Sequence, residues 1–116
     1  MATTIYGIRN CDTMKKARGW LEASGVVHKF HDYRVDGIKP ELIEAWVDAV
    51  GWGALLNRAG TTFRKLPDAE KAGLDARRAI ALMLAQPAMI RRPVLVHDGG
   101  IEIGFKVDRY AALFGS

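Results

Sequence analysis

The chain of 116 residues contains one cysteine, Cys11, and its place in the pattern points to reactivity. It stands between a β-branched and aromatic run, Thr3-Thr4-Ile5-Tyr6-Gly7-Ile8, and a helical pattern that begins at Asp12. The first N–H groups of a helix have no intrahelical partner and carry partial positive charge, so they favour an anion. A thiolate is such an anion, and cysteines in this setting titrate at roughly 3.5–7.5 instead of about 8.5. Lys15, about one turn into the helix, and Arg9, just before the cysteine, add positive charge. Packing is the competing role, because free cysteines are among the most buried residue types. A strand-end, helix-start position faces a loop, however, and favours chemistry.

A second constellation, Arg91-Arg92-Pro93, precedes an apolar run at Val94. Proline cannot continue a strand ladder and often marks a fixed bond there, in some cases cis. A guanidinium in such a loop offers planar, bidentate donors to an oxyanion or a carboxylate; plain surface charge is the alternative. No metal centre is expected. Of the three histidines, His28, His31 and His97, only His28 and His31 are close in sequence, and that pair reads as the polar edge of a strand. A single cysteine leaves neither an internal disulfide nor a cysteine-rich metal site.

The formal net charge of +4 suits a small anionic substrate, a phosphate-bearing partner or nucleic acid. The basic residues are scattered, without a long run or interleaved aromatics, so a solvated basic surface is the default and nucleic-acid binding ranks low. With 49% hydrophobic and 26% charged residues, the composition is that of a soluble globule, and the length suits one domain over 1–116. No signal-peptide pattern opens the chain and no apolar stretch is long enough to span a membrane. A free thiol without an export signal points to the reducing cytoplasm.

Apolar periodicity sets the elements that must hold these groups. A strand covers residues 3–8, and a helix follows from Asp12 to Ala23, with Met14, Ala17, Trp20 or Leu21 and Ser24 three or four apart, until Gly25 stops it. Val26 to Tyr33 reads as a second strand ending in Val35-Asp36-Gly37, and a β-α-β crossover makes the two strands parallel. Pro40 opens a helix whose stripe is Leu42, Ile43, Trp46, Val47 and Val50, and Gly51 ends it. Trp52 to Asn57 is a short helical turn, broken by Gly60-Thr61-Thr62. Asp75 to Ala85 is helical and Pro87 closes it. Val94 to His97 and Ile101 to Gly104 form a hairpin around Asp98-Gly99-Gly100, and Val107 to Phe114 is a terminal helix. This order describes an α/β, thioredoxin-like fold. It has a four-stranded mixed sheet and an enlarged helical insert, about residues 39–86, between the second and third strands. In such a fold the proline loop lies against the nucleophile loop.

The run Tyr6-Gly7-Ile8-Arg9-Asn10-Cys11-Asp12-Thr13-Met14-Lys15-Lys16-Ala17 resembles the nucleophile segment of the arsenate reductase family, which also contains redox-sensing transcription regulators. Leu55-Leu56-Asn57-Arg58-Ala59-Gly60-Thr61-Thr62-Phe63-Arg64-Lys65-Leu66 is similar to its middle motif, and Pro87-Ala88-Met89-Ile90-Arg91-Arg92-Pro93 to its proline loop. The resemblance implies a nucleophile at Cys11 and an anion-binding arginine at Arg92. Glutathione-linked arsenate reductases carry a further arginine after the paired leucines, where this chain has Asn57 with Arg58 beside it. They carry another beyond the last hairpin, where it reads Gly104-Phe105-Lys106-Val107.

The regulators use Cys-x-x-Cys, but Cys11-Asp12-Thr13-Met14 lacks the second thiol. The Gly60-Thr61-Thr62-Phe63-Arg64-Lys65-Leu66 pattern resembles instead a less characterised branch taken to be glutathione-dependent thiol reductases, which implies glutathione as co-substrate and resolving thiol. Asn10 and the N–H groups after Cys11 would hold developing charge, and Thr13 would donate to the thiolate. Arg92 would fix the substrate anion, a small oxidised compound or an oxyanion, with Arg58, Arg64, Arg91, Lys15 and Pro93 as further binding candidates. A true arsenate reductase and a regulatory module that docks onto RNA polymerase are the alternatives.

Overall fold

A computed structural model describes residues 3–115 and divides the chain into two compact units, one of residues 1–37 with 92–116 and one of residues 38–91. The first unit holds the sheet. Its strands are β1 (Thr3–Gly7), β2 (His28–Asp32), β3 (Val94–His97) and β4 (Gly100–Ile103), in the order β2-β1-β3-β4. β1 is parallel to β2, with Ile5 opposite Phe30 and Gly7 opposite Asp32, and antiparallel to β3, with Tyr6 opposite Val94. Parallel pairing of β1 with β2 requires the crossover that helix α1 (Asp12–Ala23) provides.

Alternation along β1 buries Thr3, Ile5 and Gly7 and leaves Thr4 and Tyr6 half-buried. Ile5 and Leu95 form one apolar cluster with Met14, Ala17 and Leu21 of α1 and with Tyr110 of the C-terminal helix, all fully buried. Trp20, Phe105 and Phe114 pack their rings around Tyr110, all three edge-on, at centroid separations of 5.6, 4.7 and 6.3 Å. This is the mixed, thioredoxin-like sheet expected from the element order.

The second strand is shorter than its composition suggests. Val27 is 91% exposed and lies ahead of β2, and Tyr33 leaves the ladder to begin a one-turn helix, α2 (Tyr33–Asp36). The reason is local: the Asp32 carboxylate accepts a bond from the Arg34 N–H at 2.9 Å, which caps a helical turn and ends the strand. The hairpin is also tighter than expected, since His97 pairs with Gly100 and only Asp98 and Gly99 form the turn.

The second unit is helical: α3 (Pro40–Val50), α4 (Trp52–Leu55), α5 (Thr61–Arg64), α6 (Asp68–Lys71) and α7 (Ala76–Ala85), followed by a 3-10 turn over Pro87–Met89. α3 and α7 pack together through Ile43, Trp46, Ala79 and Met83, all buried. Gly60-Thr61-Thr62, expected as a break, instead opens α5, with Gly60 extended just ahead of it. Pro87, expected only to close α7, begins the 3-10 turn. In the first unit, helix α8 (Val107–Phe114) ends the chain's regular structure.

Gly7 is the tightest position near Cys11. A Cβ placed on it would collide with Sδ of Met14 and stand 2.8 Å from its Cε, and Met14 is fully buried with no room to retreat. Gly7→Ala should therefore overpack the cluster and destabilise by about 1–3 kcal/mol. Urea unfolding should show a lower midpoint with an unchanged slope; an unaltered midpoint would mean that Met14 moves freely.

Candidate functional site

Cys11 occupies the N-cap of α1 in an extended conformation, φ −135° and ψ 127°. Its carbonyl accepts the first intrahelical bond, from the Lys15 N–H at 2.9 Å. Its half-buried side chain makes no capping bond, so the N–H groups of the first turn are not used by it. Asn10, Thr13 and Lys15 are all exposed around this helix start.

Sheet pairing brings the proline loop to the same end of the sheet. Because Tyr6 pairs with Val94 in antiparallel sense, continuing the register sets Pro93 and Arg92 alongside Gly7 and Ile8, the residues that lead into Cys11. The Arg92–Pro93 peptide bond is cis, Pro93 is buried and Arg92 is half-buried. Arg92 also faces Tyr33. Burial and, second to it, Tyr6 push the Tyr33 phenol far above the ordinary 10, and the positive charge of Arg92 acts in the opposite sense.

Across β1 from the proline loop stands Asp32, 5% exposed, which the sequence reading passed over. Its second oxygen accepts the Arg9 N–H at 3.3 Å, and its own N–H donates to Asp36 at 3.1 Å. Asp-Tyr-Arg at a strand end does carry the signal of a side chain that can cap its own turn, but nothing local indicates that it also reaches Arg9, 23 residues away.

The structure thus groups Cys11, Asn10, Thr13, Lys15, Arg92 and Pro93 in the sheet unit and puts Arg58, Arg64 and Arg91 in the helical one. There Arg58 is exposed, with its guanidinium 5.6 Å from the centre of the Trp52 ring. Arg64 is exposed and its carbonyl accepts from Lys71 at 2.7 Å. Arg91 is exposed, but its backbone is fixed: its N–H donates to Leu55 at 2.8 Å while Asn57 N–H donates to Met89 at 2.7 Å, flanking a bridge between Leu56 and Ile90. Among the described residues no group of three or more His, Cys, Asp or Glu could hold a metal ion, and no helix is long and apolar enough to cross a membrane.

A cysteine loop after an interior strand of such a sheet, beside a cis-proline loop, defines a class of thioredoxin-like proteins. Within that class the chain belongs to the ArsC family, whose model matches residues 6–113. It is 41% identical over 111 residues to an uncharacterized protein of Haemophilus influenzae, covering 96% of this chain and 97% of that one. It is 26% identical over 110 residues to the global transcriptional regulator Spx of Listeria innocua, covering 90% of this chain and 81% of the regulator.

Among solved structures, the YFFB (PA3664) protein is 56% identical, with a TM-score of 0.93 and coverage of 96% and 97% of the two chains. An arsenate reductase (ArsC) related protein of Brucella melitensis is 53% identical, with a TM-score of 0.79 and coverage of 100% and 97%.

All three tyrosines, Tyr6, Tyr33 and Tyr110, are held above the ordinary 10, each chiefly by burial. A phenol raised in the folded state contributes stability that is complete below its unfolded value and is lost as pH rises past it. Phenolate absorbance at 295 nm should therefore rise only above pH 10, together with loss of the folded circular-dichroism signal for Tyr33 and Tyr110. Three phenols titrating reversibly at 10 in folded protein would contradict this burial.

Proposed function

We propose that this protein is a glutathione-dependent thiol/disulfide reductase of the ArsC family, with Cys11 as its nucleophile. One observation carries the reading. The position three residues after Cys11, where the regulators of the family carry their second thiol, is filled by Met14, fully buried against Ile5 and Leu95. With one cysteine in the chain, the resolving thiol must come from another molecule.

The reaction balances with a glutathione mixed disulfide as substrate. The Cys11 thiolate attacks the glutathione sulfur, the substrate thiolate leaves with the bonding pair, and a Cys11–glutathione disulfide remains. A second glutathione thiolate then attacks that disulfide at the glutathione sulfur, releasing oxidised glutathione and regenerating Cys11. Two glutathione units end oxidised and one substrate sulfur ends reduced. The free N–H groups at the head of α1 stabilise the thiolate as attacker and as leaving group. Asn10 supports the developing charge, Thr13 donates to the thiolate, and Arg92 holds a glutathione carboxylate in a two-pronged contact. Lys15 supplies weaker positive charge and Pro93 the backbone edge beside the disulfide; Arg58, Arg64 and Arg91, in the helical unit, are candidates that the family resemblance alone suggests.

Arsenate reduction is the second reading, supported by family membership and by the Brucella relative's description. Arsenate spreads its charge over several oxygens and calls for several converging guanidinium groups. Asn57 stands where one would be needed, and its side chain is turned back on Gly60, where an added Cβ would lie 2.8 Å from Asn57 Nδ2. A regulatory module acting on RNA polymerase, suggested by the Spx relatives, would need no turnover at all.

Steady-state assays coupled to glutathione should show turnover of glutathione mixed disulfides, abolished in Cys11→Ser, and arsenate turnover far below it. Arg92→Lys keeps the charge but loses the planar fork, so KM for glutathione should rise about tenfold, and Arg92→Ala more, matching one charge-assisted bond of about 1.5–3 kcal/mol. Efficient arsenate turnover that depends on Arg64 would favour the second reading. No turnover of either substrate, with no Cys11–glutathione adduct by mass spectrometry, would leave the regulatory one.

A further inference from the structure

The loop that carries Cys11 is held from the side opposite the proline by a buried carboxylate that no aspect of the proposed reaction uses. Asp32 ends β2 opposite Gly7, and is 5% exposed. Its Oδ2 accepts from the Arg9 N–H at 3.3 Å and its Oδ1 from the Arg34 N–H at 2.9 Å, so one side chain ties two separate segments together. Among the described residues no lysine, arginine or histidine side chain forms an ion pair with it. The turn behind it is itself tied. The Asp32 N–H donates to Asp36, the Gly37 N–H to the Tyr33 carbonyl at 3.1 Å, and His31 Nε2 lies 2.7 Å from the Gly37 carbonyl, which can only accept. The carboxylate therefore sits on a braced turn, while the segment it reaches, Arg9 and Asn10, is exposed and lies outside strand and helix.

A carboxylate accepting backbone N–H bonds makes stronger contacts than a neutral acceptor. Burying it without a salt-bridge partner is costly unless those bonds are made. The same fold could have ended β2 with a neutral cap for Arg34 alone; the second oxygen serves only Arg9.

We propose that Asp32 is the positioning residue of the Cys11 nucleophile, its buried carboxylate bracing Arg9 so that the loop presents the thiol at the head of α1. The inference deepens the reading of Cys11 as nucleophile but does not depend on glutathione. Attack on a disulfide needs the thiolate in line with the S–S bond, whereas a small alkylating agent can approach an exposed thiolate from many directions. A braced loop should matter for the first reaction far more than for the second.

The test compares the exchange of Cys11 with 5,5′-dithiobis(2-nitrobenzoate), in which the attacked disulfide releases thionitrobenzoate as Cys11 becomes the mixed disulfide, with its alkylation by iodoacetamide. Both are run on the whole protein at one pH. In Asp32→Asn the exchange rate should fall at least about tenfold while alkylation changes less than about threefold. Ile101→Ala, which thins the far edge of the same sheet, should lower thermal stability and leave the ratio of the two rates unchanged. An unchanged ratio in Asp32→Asn, or an equal fall in Ile101→Ala, overturns the proposal.

Hydrogen exchange on the wild type provides a check that needs no variant. The Arg9 amide should exchange at least about a hundredfold more slowly than a free chain, although its residue is exposed; exchange at the free-chain rate overturns the proposal. A wild type that exchanges readily with the aromatic disulfide, shows the Asp32 effect, yet forms no glutathione adduct would refute the glutathione reading alone.

Discussion

The site depends on β1 being an interior strand whose two neighbours run in opposite directions. β2, parallel to it, ends beside Gly7, while β3, antiparallel, begins near the same point, so an end of one strand and a start of another meet where β1 leaves the sheet. The chain that follows, Ile8 to Cys11, is therefore bordered on one side by the Asp32 carboxylate and on the other by the cis proline. It needs no regular structure of its own to be well placed. Hydrogen bonds of the ladder hold the strands to within fractions of an ångström, and the loop inherits that order over its few residues. The apolar cluster beneath, with Met14 wedged against Gly7, fixes the start of α1 relative to the strand it came from.

That same wedge separates this chain from a self-contained redox switch. A thiol at position 14 would have to replace a side chain that fills the space over Gly7, at the end of the strand that leads to Cys11. The structure uses this position for packing, and Cys11 has no second thiol three residues on. The position of Cys11 as helix cap leaves its sulfur uncommitted. Its carbonyl is used by the helix, its sulfur is not, and the first-turn N–H groups remain available to stabilise charge on the sulfur or on what it attacks.

The helical unit contributes a different kind of order. Its Leu55–Asn57 and Met89–Arg91 segments are paired by backbone bonds on either side of an isolated bridge between Leu56 and Ile90. Trp52 under Arg58, and Gly60 giving way to the Asn57 side chain, show how side chains in this motif serve its own architecture.

By itself the sequence determined the order of the strands and longer helices, the parallel first pair of strands, the core stripe of α1 and the candidacy of Cys11 and Arg92. These rest on local terms: β-branched runs, spacing of apolar residues by three and four, glycines at Gly25 and Gly51, and a lone thiol at a strand-to-helix junction. The tertiary structure alone decided where β2 begins and what holds the Cys11 loop. Val26 and Val27 have strand propensity, but the described ladder pairs Thr3–Gly7 with His28–Asp32 and includes neither valine. Asp32 was invisible for the complementary reason. Its capping of Arg34 is a contact between neighbours, but its bond to Arg9 joins residues 23 apart, and no local pattern encodes a meeting that only the pairing of two strands brings about.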